Sequence, residues 1–234
     1  MKRHMVTFVV ALALVVPGFA QETYREVLSS HYPFYKTATT RFAPVYPALA
    51  QQIADDFGIT EGVCVDVGGG TGALSLALAE RTEMSFYVLD IDPWAVRVCN
   101  YEVMEHGMMG RVSGILGDAQ SMPLRDAYAD LVVSRGSIFF WPDQFAGLME
   151  CYRILKPGGV AYVGGGFSRI LDPQIRTPLA RAKQRAMEQG GIKGWRPLDS
   201  DLLDRAKAAG IEDIRLDPEP IVGSWLTIRK PAAD

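Results

Sequence analysis

Four glycines fall within five residues of the chain, at Gly68, Gly69, Gly70 and Gly72, directly after the apolar run Val63 to Val67 that carries Asp66. Glycine lacks a Cβ and tolerates positive φ, so such a loop lets a ligand lie against bare backbone. Ala73 to Glu80, a strong helix former, follows at once. A helix N-terminus presents unpaired N–H donors and partial positive charge to whatever the glycines admit. Asp90 and Asp92 come about 20 residues downstream, where an acid at the end of the next strand accepts both hydroxyls of a ribose. The chemistry on offer is recognition of a nucleotide-like ligand. Gly68-x-Gly70-x-x-Ala73 satisfies the dinucleotide-binding pattern, so the loop by itself leaves the ligand open.

Positioning these residues requires alternating strands and helices. Val63 to Val67 reads as a buried parallel strand, and Met84 to Asp92 as the second. Pro93 opens a helix that Gly107 closes, with Asp92 as its N-cap. Val112 to Ala119 is a short third strand ending in Gly117-Asp118-Ala119, and Leu131 to Ser134 the fourth. Helix Gln144 to Leu155 leads through Lys156-Pro-Gly-Gly159 into strand Val160 to Val163, Pro157 stopping the helix and the glycines making the turn. A more basic, irregular stretch over 165–198, with a helix from Thr177 to Glu188, reads as a surface insertion. A helix from Leu202 to Ala209 and strands beginning at Ile211 and Gly223 close the chain. The order implies an α/β fold with a doubly wound, mostly parallel sheet. Ligands bind beyond the carboxyl ends of such strands, which nominates Arg135, Ser137, Phe139, Phe140 and Trp141 as site residues or, alternatively, as loop and core packing. Ile91 offers an apolar face to a base. The aromatic-rich lead-in over 21–60, ending in a helix from Pro47 to Phe57, is expected to form a lid, with Tyr32, Tyr35 and Arg41 turned toward the ligand.

Composition narrows the function classes. The 234 residues, 48% hydrophobic and 22% charged, suffice for one sizeable core. A net charge of −3 without a basic run argues against nucleic acid. Cys64, Cys99 and Cys151 are widely spaced in apolar patterns, giving neither zinc spacing nor a disulfide framework, and are expected as buried thiols. No metal cluster is expected. Lys2 and Arg3, an apolar run from Met5 to Val16 and small residues up to Ala20 make a signal-like or anchor segment of residues 1–20. Export after cleavage at Ala20, a membrane tether with the body facing the cytoplasm, and a spurious extension all stay open. Oligomeric state is not legible.

In order along the chain, Asp66-x-Gly-x-Gly-x-Gly72, Asp90, Gly117-Asp118-Ala119 and Leu155-Lys-Pro-Gly-Gly159 resemble the motifs of class I S-adenosyl-L-methionine (SAM) methyltransferases of the small-molecule type, such as those of ubiquinone and menaquinone biosynthesis. The resemblance covers roughly residues 35–230, with 61–234 as the methyltransferase domain. It implies a seven-stranded Rossmann-like sheet whose one antiparallel strand lies near the C-terminus. It implies SAM as cofactor, held by Asp66, Gly68, Gly70, Gly72, Asp90, Ile91, Asp118, Ala119 and Arg135. Asp118 would accept from the adenine amino group while a neighbouring backbone N–H meets the ring, unless it merely caps its turn. Methyl transfer to a small-molecule acceptor by direct displacement follows, with Tyr35, Ser137, Phe139 and Trp141 as acceptor-site candidates. A general base is optional, and His31 is the best placed. Lys156 is assigned no chemistry. The rivals are a nicotinamide dehydrogenase, which leaves Gly117-Asp118-Ala119 unexplained, and a SAM-binding or exported binding protein without transferase activity.

Overall fold

A computed structural model of the chain describes residues 17–219 and 223–233. Residues 1–16 of the signal-like segment lie outside the described residues, while Pro17 to Ala20 belong to the first helix, α1 (Pro17–His31). Two more helices, α2 (Phe34–Thr39) and α3 (Val45–Phe57), complete the lead-in. Gly58 ends α3 in the left-handed conformation at φ +65°, its N–H donating back to the Ala54 carbonyl.

Seven strands then form one sheet. Strands β1 (Val63–Val67), β2 (Ser85–Asp90), β3 (Val112–Leu116), β4 (Ala129–Arg135) and β5 (Leu155–Gly166) alternate with α4 (Ala73–Ala79), α5 (Pro93–Glu105) and α6 (Gln144–Ile154). Helices α7 (Pro173–Glu188) and α8 (Leu202–Ala208) precede β6 (Asp213–Glu219) and β7 (Gly223–Arg229). The spatial order is β3-β2-β1-β4-β5-β7-β6, with β7 antiparallel to both neighbours and the rest parallel. This is the expected doubly wound sheet, and chain direction switches between β1 and β4, which opens a crevice at their carboxyl ends.

The strands are apolar on both faces because helices cover both. Cys64, Phe86, Leu131 and Tyr162 face α3, α4 and α5, while Val65, Val132, Ala161 and Leu226 face α6 and α8. All three cysteines are buried and unpaired, as expected, and burial pushes the Cys99 and Cys151 thiols up to about 12. Asp92 caps α5, its carboxylate accepting from the Trp94 N–H at 2.8 Å.

Several boundaries differ from the sequence reading by a few residues, two of them with a clear physical cause. Helix α7 begins at Pro173, four residues before Thr177, because Asp172 caps it and proline suits the first helical position. Strand β5 begins at Leu155, so Lys156-Pro-Gly-Gly159 is not a turn into a strand but an irregularity inside one. Pairing with β4 runs Ala129 with Leu155 and then Leu131 with Val160, leaving residues 156–159 opposite Asp130. Gly158 takes φ +80° there and donates to the Lys230 and Pro231 carbonyls. Asp130 ties the bulge to β1: its Oδ2 accepts from Lys156 Nζ at 2.7 Å and from the Val63 N–H at 2.8 Å. Lys156 is therefore a structural cation.

Candidate functional site: the crevice between β1 and β4

The glycine loop takes its shape from three left-handed residues, Gly68 (φ +66°), Gly70 (φ +58°) and Gly72 (φ +74°). Each also lacks room for a side chain. A Cβ at Gly68 would stand 2.2 Å from the Ser137 Cβ, and one at Gly72 2.8 Å from Cys99 Sγ. A Cβ at Gly70 would stand 2.7 Å from the Tyr32 hydroxyl, which is how close the lead-in comes to the loop. Tyr32 thus lies against the glycine loop. Burial, then the nearby Asp90 carboxylate, raises its phenol above the ordinary range.

Asp90 ends β2 beside this loop. Its Oδ2 accepts from the Gly70 N–H and its Oδ1 from the Asp92 N–H, both at 3.0 Å. Burial raises its pKa against these hydrogen bonds. Ile91 next to it is 68% exposed, and Leu116, paired with Asp90 across β2 and β3, is 58% exposed. Open aliphatic surface thus flanks the Asp90 carboxylate. Asp118 follows β3, but its Oδ1 accepts from the Gln120 N–H at 2.9 Å and from Gln120 Nε2 at 3.2 Å. Its carboxylate is largely engaged in its own turn, the capping alternative. Ala119 beside it is 8% exposed.

Asp66, 1% exposed, lies in β1 beneath the loop. Its Oδ2 accepts from Ser75 Oγ at 2.9 Å, while its Oδ1 is sealed from solvent without a partner. Burial above all, opposed by the Ser75 hydrogen bond, raises its pKa to about 7. A buried carboxylate oxygen lacking a donor is costly and invites one from a ligand.

Arg135 ends β4 across the crevice. Its guanidinium lies over the rings of Phe42 and Tyr46, at 5.0 Å and 5.1 Å, and its Nε donates to the Gly166 carbonyl at 3.2 Å. Burial lowers its pKa, while the Tyr46 and Asp66 groups support its charge. The lead-in and β4 therefore meet through a cation held on aromatic faces, which local sequence pattern could not display.

Several expected site residues have other work. Tyr35 is 4% exposed, packs with Leu28, Val98 and Tyr101, and donates its hydroxyl to Glu102; it anchors α2 on α5 rather than facing an acceptor. Trp141 packs on α6, where a Cβ at Gly147 would stand 2.4 Å from its ring; it is a core residue. The Ser137 hydroxyl donates to the Val67 carbonyl at 2.7 Å and meets Ser134 Oγ at 2.6 Å, pinning the two loops together. His31 is exposed, its ring stacked on Trp94 at 3.9 Å and its Nδ1 facing the Val27 carbonyl, so its contacts lie on the α1–α5 side. Phe139 remains near the crevice, stacked on Trp195 at 5.5 Å and against Gly165 of β5. Phe140 is 40% exposed. Arg41 sits at 6.0 Å from the Phe42 ring. Among the described residues no group of three or more His, Cys, Asp or Glu could hold a metal ion.

The orphaned Asp66 Oδ1, the cradle at Gly70 and the Asp90 carboxylate fit a ligand with an ammonium at one end and a ribose further along, as SAM has. A family model described as a methyltransferase domain matches residues 65–163. The chain is 39% identical over 102 residues to the rice 2-methyl-6-phytyl-1,4-hydroquinone methyltransferase 1, covering 43% of this chain and 30% of that protein. It is 36% identical over 111 residues to the ubiquinone/menaquinone biosynthesis C-methyltransferase of Neisseria meningitidis, covering 47% and 44%. The chain thus spans less than half the length of either curated relative. A crystal structure from Methanococcus maripaludis, assigned as a SAM-dependent methyltransferase, is 33% identical and superposes with a TM-score of 0.75 over 88% of this chain and 94% of its own. The chain belongs to the SAM-dependent methyltransferases.

Proposed function

We propose that this protein binds SAM in the crevice between β1 and β4 and transfers its methyl group to a small organic acceptor. The observation that carries the reading is the sealed, donor-less Asp66 Oδ1 under a loop of three left-handed glycines, a loop that also donates to Asp90 through Gly70. Asp90 accepts from the ribose hydroxyls, Ile91 and Leu116 take one face of the adenine, and the Ala119 backbone meets its edge. Asp118 reaches the adenine amino group only with the oxygen less engaged by Gln120. Gly68, Gly70 and Gly72 admit the methionyl chain, and Asp66 takes its ammonium. Bound SAM would supply a sulfonium methyl to an acceptor nucleophile, the S–CH3 bond breaking as the new bond forms and S-adenosylhomocysteine leaving. The remaining work is positioning and exclusion of water. Tyr32, Phe42 and Tyr46 close the crevice from the lid side, and Arg135 and Phe139 form its floor at the ends of β4 and the turn after it. His31 lies outside this wall, so no general base is assigned.

Location is also a proposal. Residues 1–20 would tether the body to a membrane on the cytoplasmic side, where SAM is made. Among the described residues no helix is long and apolar enough to cross a membrane, and Tyr24 and Val27 on α1 expose apolar surface beside the segment.

Transfer is tested by incubating the protein with methyl-labelled SAM and panels of hydroquinones, phenols and aromatic acids. Labelled product with matching S-adenosylhomocysteine supports the reading. S-adenosylhomocysteine that never exceeds the enzyme-free rate, from protein that binds SAM, favours a non-catalytic binding role.

A further inference from the structure

A second cavity, of about 370 Å³, lies outside the crevice, over the antiparallel edge of the sheet. Tyr162 of β5 and Trp225 and Thr227 of β7 line it from the sheet, and Gln52, Asp56 and Phe57 line it from the C-terminal half of α3. Tyr46, in the first turn of the same helix, meets Arg135 at the crevice. The eleven residues from Tyr46 to Phe57 span about 16 Å of helix axis, so the two sites are separate. The sheet side of the cavity is held firmly. Tyr162 and Trp225 stack with ring centroids 4.4 Å apart and planes 5° from parallel, and Phe57 meets Tyr162 edge-on at 5.5 Å. Gln52 Nε2 donates to the Tyr162 hydroxyl at 3.2 Å, while its Oε1 accepts from Ser168 Oγ and the Arg169 N–H.

One donor in this setting is unmet. Trp225 is 2% exposed, and its indole N–H is sealed from solvent without an acceptor. Indole donates and cannot accept, so only an incoming oxygen or nitrogen acceptor relieves the cost of burying it. The charges around the cavity, by contrast, cancel. Arg169 makes a two-point pair with Asp56, and Arg215 lies 3.6 Å from Asp217. In the β6–β7 ladder Arg215 stands opposite Thr227 and Asp217 opposite Trp225. Both of these β6 side chains are more than half exposed, so groups free to turn outward, rather than backbone, bound the cavity at the sheet edge. Two cations and two anions leave no net charge for an ionic ligand to meet. What is missing is a neutral acceptor on a flat apolar body.

We propose that this cavity is a second binding site, separate from the methyl-transfer crevice, for an uncharged aromatic carbonyl compound. The carbonyl oxygen accepts from the Trp225 indole N–H, and the ring lies against Phe57 and the Tyr162–Trp225 pair. The volume suits a single substituted ring, at the small end of ligand pockets. Arg215 turns toward solvent to admit it. A carboxylate would find the same N–H, but it would face Asp56 and Asp217 as well as the two arginines, which removes its advantage. The site does not depend on the methyltransferase reading, since none of its residues belongs to the crevice.

The test follows the Trp225 indole N–H by NMR in the full chain, assigned through its NOE to the Tyr162 ring, during titration with benzamide, toluene and benzoate. Benzamide is expected to move this resonance downfield and saturably. Toluene, with the ring but no acceptor, is expected to bind about fivefold more weakly, the increment of one neutral hydrogen bond. Benzoate is expected to bind no more tightly than benzamide. Trp225→Phe keeps a ring and removes the donor, so it should weaken benzamide about fivefold and leave toluene unchanged, read at the Thr227 methyl. An unmoved Trp225 N–H overturns the proposal, including the case where benzamide shifts only crevice residues such as Phe139. Toluene binding as tightly as benzamide, or benzoate binding about tenfold more tightly, overturns it as well. Should Trp225→Phe fail to fold, the wild-type comparison of benzamide with toluene and benzoate decides by itself.

Discussion

Asp66 is the group whose protonation the fold and the ligand should pull in opposite directions. Burial raises its pKa from 3.8 to about 7, so the folded state holds the proton more tightly than the unfolded chain. For a carboxylate shifted upward, stability is full below the unfolded pKa, falls as pH rises between the two pKa values, and is constant above the folded one. Each unit of separation is worth about 1.4 kcal/mol, so the Asp66 contribution falls by about 2 kcal/mol between roughly pH 5.5 and roughly pH 8. Asp66→Asn removes the titration and keeps an acceptor for Ser75, so the wild-type-minus-variant difference in urea stability at the two pH values isolates it. The ligand reverses the preference, because an ammonium at Oδ1 favours the ionised form. Below its pKa the ionised fraction rises tenfold per unit, so S-adenosylhomocysteine affinity is expected to rise about tenfold from roughly pH 6 to roughly pH 8. The variant should bind weakly and with a flat profile. A wild-type protein whose stability follows that of Asp66→Asn at both pH values would refute the assigned burial. An affinity slope that persists in the variant would refute the ammonium contact.

The remaining predictions concern fold and division of labour. Gly68→Ala combines a left-handed φ with a Cβ 2.2 Å from Ser137, and should destabilise by about 3 kcal/mol or more; Gly58→Ala, at the same φ with nothing within 4 Å, should cost only about 1 kcal/mol in the same urea titration. Tyr35→Phe leaves Glu102 without its donor and should cost about 1 kcal/mol in stability while changing S-adenosylhomocysteine affinity less than about twofold; a large affinity loss would return Tyr35 to the site. Lys156→Ala breaks a half-exposed pair with Asp130 that also anchors Val63, so stability should fall by about 1 kcal/mol or less and turnover, once an acceptor is known, should be unchanged.

What was legible in the sequence was what short-range chemistry dictates. The strand, glycine loop and helix from Val63 to Ala79, the left-handed stop at Gly58 and the Asp92 cap all depend on residues within a few positions of one another. Asp90 was legible because the spacing of successive strands fixes where an acid emerges. Roles settled by distant partners were not. Tyr35 and Trp141 are aromatic and sit near strand or helix ends, but Glu102 in one case and Gly147 in the other decide which way each ring packs. Ser137 follows β4 and so reads as lining an acceptor, yet the absent side chain at Gly68 lets it close against β1. The bulge of β5 depends on Asp130 and Lys230, 26 and 74 residues from Lys156 and far outside any local window. Arg135 stood out as a strand-end cation, but its clasp by Phe42 and Tyr46 joins elements some ninety residues apart in the chain.

The account stands most directly on whether the crevice between β1 and β4 takes SAM. Calorimetry of the chain from Gln21 onward with S-adenosylhomocysteine, with NAD as the rival ligand and Asp90→Ala as the variant, tests this. The account predicts one site of micromolar affinity for S-adenosylhomocysteine, weakened about tenfold or more in Asp90→Ala, and no heat with NAD. Folded protein that binds NAD, or that binds S-adenosylhomocysteine equally well without the Asp90 carboxylate, would contradict it.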